Sequence, residues 1–180
     1  MVKIAIIIAF RNFRDEEYFI PSEILKRADY EVVVGSNGEK GGLAQGTLGG
    51  EVEINVNIKD VATNDFTGVV FVGGPGALKN LDNEESYKLA KKFYAEKKLV
   101  AAICVAPVIL AKAGILEGKK ATVWSSPLDK KTVKTLQEKG AGCSGESVVA
   151  DGNIITANGP AAAEEFGKKI LEYLSKNILN

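Results

Sequence analysis

With 180 residues, 46% of them hydrophobic and 26% charged, the chain has the apolar content of one soluble domain with a sizeable core. Its 23 basic and 23 acidic residues cancel, which removes the electrostatic case for nucleic acid or a membrane surface as a partner. Two cysteines and no histidine exclude a Ser-His-Asp or Cys-His triad, even one shared between copies, and leave too few ligands for a zinc site or a disulfide framework.

The apolar run Val2 to Phe10 is too short to span a bilayer and lacks a small-residue cleavage site, so the expected location is cytoplasmic. Within it, Lys3 to Ala9 reads as a central parallel strand covered on both faces. A polar turn, Arg11 to Asp15, leads to a helix with Ile20, Ile24, Leu25 and Ala28 on its apolar face and Pro21 near its first turn. Tyr30 to Gly35 is the second strand. The glycine-rich stretch after it lacks both the Gly-Lys-Ser/Thr ending and the GxGxxG spacing of phosphate loops, so it reads as hairpin turns. Val52, Ile54, Val56 and Ile58 alternate with polar residues, as in a half-exposed strand or extended arm.

Gly68 to Val72 is a buried strand ending in Gly73-Gly74-Pro75-Gly76. Pro75 removes an amide donor and no helix clearly opens there, which weighs against a dinucleotide site. Either the glycines bring backbone N–H groups to a ligand oxygen or they form a tight turn. Asn83 to Glu96 is a helix with an aromatic stripe of core type, Lys120 to Trp124 a short strand, and Asp129 to Lys139 a charged surface helix. Ser147 to Ala150 and Ile154 to Ala157 form a hairpin through Asp151-Gly152. A last amphipathic helix after Asn158-Gly159-Pro160 offers Phe166, Ile170, Leu171 and Leu174 to the core. Alternating strands and helices with short connections and no linker argue one domain over 1–180. Its class is α/β: a flavodoxin-like three-layer α/β/α sandwich with a mostly parallel sheet.

The stretch from Leu99 to Gly114 carries the chemistry. An apolar strand, Leu99 to Ile103, runs into an apolar helix, Ala106 to Ala113, with Cys104 at the junction. A nucleophile elbow of this kind exposes its side chain at the sheet edge, and the helix N-terminus there lowers a thiol pKa. The alternative is a buried structural cysteine. Cys143, in Gly140 to Gly145, reads as an incidental surface-loop thiol.

Four segments then give the chain a resemblance to the ThiJ/PfpI superfamily, the parkinsonism-associated deglycase and intracellular protease group. They are Asp15-Glu-Glu-Tyr-Phe-Ile-Pro21, Val70-Phe-Val-Gly-Gly-Pro-Gly-Ala77, Ala101-Ala-Ile-Cys-Val-Ala-Pro107 and Thr156-Ala-Asn-Gly-Pro160. The resemblance implies a homodimer or larger assembly and no metal or organic cofactor. It implies Cys104 as catalytic nucleophile and Glu17 as the acid beside it. The backbone around Gly73, Gly74 and Val105 would supply an oxyanion pocket, with Ser126 as a further pocket residue. Protonated Glu17 would favour the thiolate; ionised Glu17 would disfavour it. The chain departs from the family pattern in having Val105 where the protease branch has histidine, and Ser126 where the deglycase branch has histidine before the proline. It also lacks an acid in Pro75 to Lys79. The expected function is a deglycase/glyoxalase-type enzyme acting on small-molecule carbonyls. The alternatives are an oxidative-stress sensor whose partner is an oxidant and whose Cys104 stops at the sulfinic acid, an intracellular peptidase disfavoured by the missing histidine, and a degenerate interaction module.

Overall fold

The computed structural model describes residues 2–178. In chain order its elements are β1 (Lys3–Ile8), β2 (Arg11–Phe13), α1 (Asp15–Arg27), β3 (Glu31–Ser36), β4 (Leu43–Gly46), β5 (Glu51–Glu53), β6 (Val56–Asn57), β7 (Gly68–Phe71) and α2 (Ala77–Leu81), followed by α3 (Glu84–Ala95), β8 (Leu99–Ile103), α4 (Pro107–Lys112), β9 (Lys120–Ala121), α5 (Lys131–Glu138), β10 (Gly142–Cys143), β11 (Val148–Asp151), β12 (Ile154–Ala157) and α6 (Ala163–Ile178).

A seven-stranded sheet in the order β11-β12-β8-β7-β1-β3-β6 forms the middle layer, parallel except where β11 pairs antiparallel with β12. Period-two alternation divides its apolar side chains between two cores. Ala5, Ile7, Val69, Phe71, Val100 and Ala102 face α3, α4 and α5 through Phe93, Ile109 and Leu136. Ile4, Ile6, Ile8, Val70, Leu99, Ala101 and Ile103 face α1 and α6 through Leu25, Phe166, Ile170 and Leu174. These are the three layers and the flavodoxin-like arrangement that the alternation of elements predicts. Leu171, expected in the core, is only half-buried.

Several local expectations are corrected. Pro21 lies well inside α1, not in its first turn, because the helix opens immediately after β2 with Asp15, Glu16 and Glu17 at its positive end. The proline removes the amide that would bond the Glu17 carbonyl one turn back. Gly167 of α6 lies against this point: a Cβ there would stand 2.8 Å from Ile24 Cδ1 and 3.0 Å from Pro21 Cα. The Val52–Ile58 alternation breaks into two strands in different sheets: β5 closes a small sheet with β4 and β2, and β6 joins the edge of the large one. A helix, α2, does open after the glycine turn. The strand predicted over Lys120 to Trp124 pairs only at Lys120 and Ala121, with Gly142 and Cys143 of β10. Cys143 is therefore in a short strand, half-buried, with its sulfur 3.7 Å from the Val133 carbonyl oxygen.

Buried Asp15 anchors the β4–β5 turn. Its carboxylate accepts the Leu48 and Gly50 amides at 2.8 and 2.7 Å. No helix among the described residues is long and apolar enough to cross a membrane.

Candidate active site

The carboxyl ends of β1, β7, β8 and β12 meet where the sheet's chain turns into helices, the edge at which α/β sheets gather ligands. Only three residues separate the end of β8 from the start of α4. Cys104 makes the reversal with φ +63°, a left-handed conformation that a non-glycine residue adopts at an energetic cost. Its peptide is held from both sides: its N–H donates to the Ala157 carbonyl at 2.9 Å, and its carbonyl accepts the Trp124 N–H at 2.8 Å. The side chain is left 8% exposed.

The glycine turn after β7 supplies the second wall. Gly73 donates its N–H to Glu17 Oε2 at 3.0 Å and accepts the Arg14 N–H at 3.1 Å. Only glycine fits there, since a Cβ would stand 2.6 Å from Cys104 Cβ and 2.7 Å from Glu17 Oε2. Gly74 has φ +105° and packs against the Arg14 amide, so it too has no room for a side chain. The turn thereby brings the Gly74 N–H, and the elbow the Val105 N–H, near enough to the Cys104 sulfur to favour its thiolate.

Glu17 comes from the first turn of α1 and is fully buried. Its carboxyl is within hydrogen-bonding reach of the Cys104 thiol, and Oε1 has no hydrogen-bond partner. Burial pushes this carboxyl up to about 7, against the opposing pull of the Cys104 and Gly73 hydrogen bonds. Burial and the Glu17 charge push the Cys104 thiol up to about 12, with the Gly74 and Val105 amides pulling the other way. The expectation of a thiol simply lowered by the helix end is thus corrected: α4 is six residues long, and desolvation outweighs it. Burial raises both groups and the Glu17 charge raises the thiol further, so the pair gives up its first proton at about 7 and carries a single shared proton above that. Moving that proton from the sulfur to Glu17 leaves a thiolate that the Gly74 and Val105 amides favour.

The pair opens into a cavity of about 330 Å³ lined by Glu17, Gly74, Cys104 and Val105, with Pro75, Trp124 and Pro160 as its apolar walls and Arg14 as its one cation among the described residues. The structure therefore brings Cys104, Glu17, Gly73, Gly74 and Val105 together. It does not bring Ser126: that hydroxyl accepts the Asp129 N–H at 3.0 Å, in a turn that leads towards α5. Arg14 and Trp124 were missed in the sequence. Arg14 sits in a polar turn, and only its place directly before the acidic helix start hinted at a role. Trp124, the single tryptophan, ends an expected strand at the sheet edge where sites collect.

Comparison with known proteins identifies the family of the chain. The DJ-1/PfpI family model matches residues 2–173. An uncharacterized protein of Methanocaldococcus jannaschii is 40% identical over 97% of this chain and 83% of its own length. A deglycase of Pyrococcus abyssi is 31% identical over 86% of this chain and 89% of its own. The crystal structure of a ThiJ/PfpI domain protein from Brachyspira murdochii superposes with a TM-score of 0.90, at 35% identity, over 97% of this chain and 96% of that one. The family model and these relatives span nearly the whole chain, and the protein belongs to the DJ-1/PfpI family.

Proposed function

We propose that this protein is a cysteine-dependent enzyme of the deglycase/glyoxalase type acting on small reactive carbonyls. What supports the reading best is one sulfur that meets two backbone donors and a buried acid able to hold its proton, all in a cavity of small-molecule size. The deglycase name of relatives such as the Pyrococcus abyssi protein points the same way. With the proton on Glu17, the Cys104 sulfur attacks an aldehyde carbon. The S–C bond forms, the carbonyl π pair moves to oxygen, and the Gly74 and Val105 amides stabilise the charge. Glu17 then gives its proton to that oxygen, leaving a neutral hemithioacetal and a carboxylate. With a 2-oxoaldehyde, the carboxylate removes the C1 hydrogen as a proton and returns it at C2, while the hydroxyl proton passes from the C1 oxygen to the C2 oxygen through the enediol. The resulting thioester is hydrolysed by water to a 2-hydroxy acid, and the thiol is restored. Methylglyoxal tests the proposal: the parent consumes it and releases lactate, and Cys104→Ser does not. Equal consumption by the two proteins overturns it.

A second reading rests on the unpartnered Glu17 Oε1 beside a sulfur already held by two amides. A protonated carboxyl there would donate to a sulfinate oxygen. Two peroxides would oxidise the thiol by four electrons to the sulfinic acid, each being reduced to water. Intact mass after mild peroxide decides it: addition of two oxygens at Cys104, without carbonyl turnover, favours the sensor.

A further inference from the structure

Arg14 has no part in the chemistry just described, yet it lines the same cavity. Its guanidinium is held by Glu16 through Nε at 2.8 Å and Nη2 at 3.0 Å, and both side chains remain about one-third exposed. Five N–H donors are available on a guanidinium, and two are used. Nη1, with two of the remaining three, has no acceptor among the described residues. The backbone of Arg14 is bonded to Gly73 and packs against Gly74, so the residue is fixed to the turn that addresses the sulfur. Around it the cavity offers a proline and a tryptophan wall, the buried acid and no other basic group.

We infer that Arg14 is a specificity-determining residue: the carbonyl substrate carries an anionic group, a carboxylate or a phosphate, which the free face of the Arg14 guanidinium receives while Cys104 meets the carbonyl carbon. The inference rests on the reading of Cys104 as nucleophile and narrows it to oxo compounds with a negative charge close to the reacting centre. Glu16 orients the guanidinium and at the same time partly neutralises it, which sets the strength of the preference. The pairing is a planar fork, so lysine in place of Arg14 keeps the charge and loses the fixed donor direction.

Alkylation of Cys104 reads this without any turnover. Iodoacetate and iodoacetamide are near-isosteric, differ in charge, and form the same S–C bond with loss of iodide. The rate ratio of iodoacetate to iodoacetamide at Cys104, followed by peptide mass to separate it from Cys143, is divided by the ratio for a free thiol. We expect a normalised ratio of about ten in the parent, the size of one solvent-accessible charge-assisted contact. In Arg14→Gln it falls to about one, in Arg14→Lys it is intermediate, and in Glu16→Gln it rises above the parent. Because the ratio is taken within each protein, a general change in sulfur reactivity cancels. A parent ratio of one, or a ratio untouched by Arg14→Gln, overturns the anionic subsite and leaves the methylglyoxal test of the nucleophile standing. Methylglyoxal turnover lost on Cys104→Ser together with such a ratio means a carbonyl enzyme without this preference. A Cys104 inert to both reagents overturns subsite and nucleophile alike.

Discussion

Replacing Glu17 by glutamine should stabilise the protein while disabling it, and the stabilisation should depend on pH in one direction. The carboxyl is fully buried and its folded pKa stands at about 7 against an ordinary 4.5. A group raised in this way contributes fully to stability below its unfolded value, and that contribution is lost as pH rises through the folded one. At about 1.4 kcal/mol per pH unit, the interval corresponds to about 3 kcal/mol. Glutamine keeps the oxygen that accepts the Gly73 N–H, places its amide where Oε1 lacks a partner, and carries no charge to desolvate. Urea unfolding of parent and Glu17→Gln at pH 4.5, 6, 7 and 8 should show nearly equal stabilities at the lowest pH. The gap should widen through pH 6 to about 3 kcal/mol in favour of the variant at pH 8. Removing the Glu17 charge should also bring the Cys104 thiol down from about 12, so iodoacetamide should trap the sulfur at lower pH in the variant. A variant no more stable at pH 8, or a gap that ignores pH, refutes the assignment of a desolvated carboxyl at this position.

Gly73→Ala should abolish methylglyoxal turnover and cost about 1–3 kcal/mol in denaturant unfolding, because its methyl would have to displace both Cys104 and Glu17. Asp15→Ala should cost about 1–3 kcal/mol and expose the 47–50 turn to limited proteolysis, since two amides lose their buried acceptor. Phe166→Ala, in the core under α6, should cost about 3–5 kcal/mol in the same unfolding assay and leave the alkylation ratio at Cys104 unchanged.

The central sheet was legible because its strands are continuous apolar runs, such as Ile4 to Ile8 and Leu99 to Ile103, which admit little but burial on both faces. Short elements were less so. The two residues of β6 and the five of α2 carry too little periodicity to announce themselves, and tertiary pairing decides them. Pro21 was misplaced because a proline's preference for the first helical turn gave way to the acids and to the close packing of α1 on α6. At the site, Cys104 and its elbow follow from apolar strand, apolar helix and the residue between them. Glu17 needed the family resemblance, since a helix-start acid is ordinarily a surface charge. Arg14 and Trp124 belong to segments that only the fold brings to the sulfur, whereas Ser126, named on its position before Pro127, is turned away by its own bond to Asp129.

The two hydrogen bonds on the Cys104 peptide make the elbow a socket more than a residue. Because the backbone is gripped by Ala157 and Trp124, the direction of the Cα–Cβ bond is decided before any side chain is chosen. Serine or selenocysteine placed there would inherit the same aim into the cavity. Glycine would shed the left-handed penalty and leave the frame intact, giving a sturdier and empty scaffold into which other nucleophiles could be grafted.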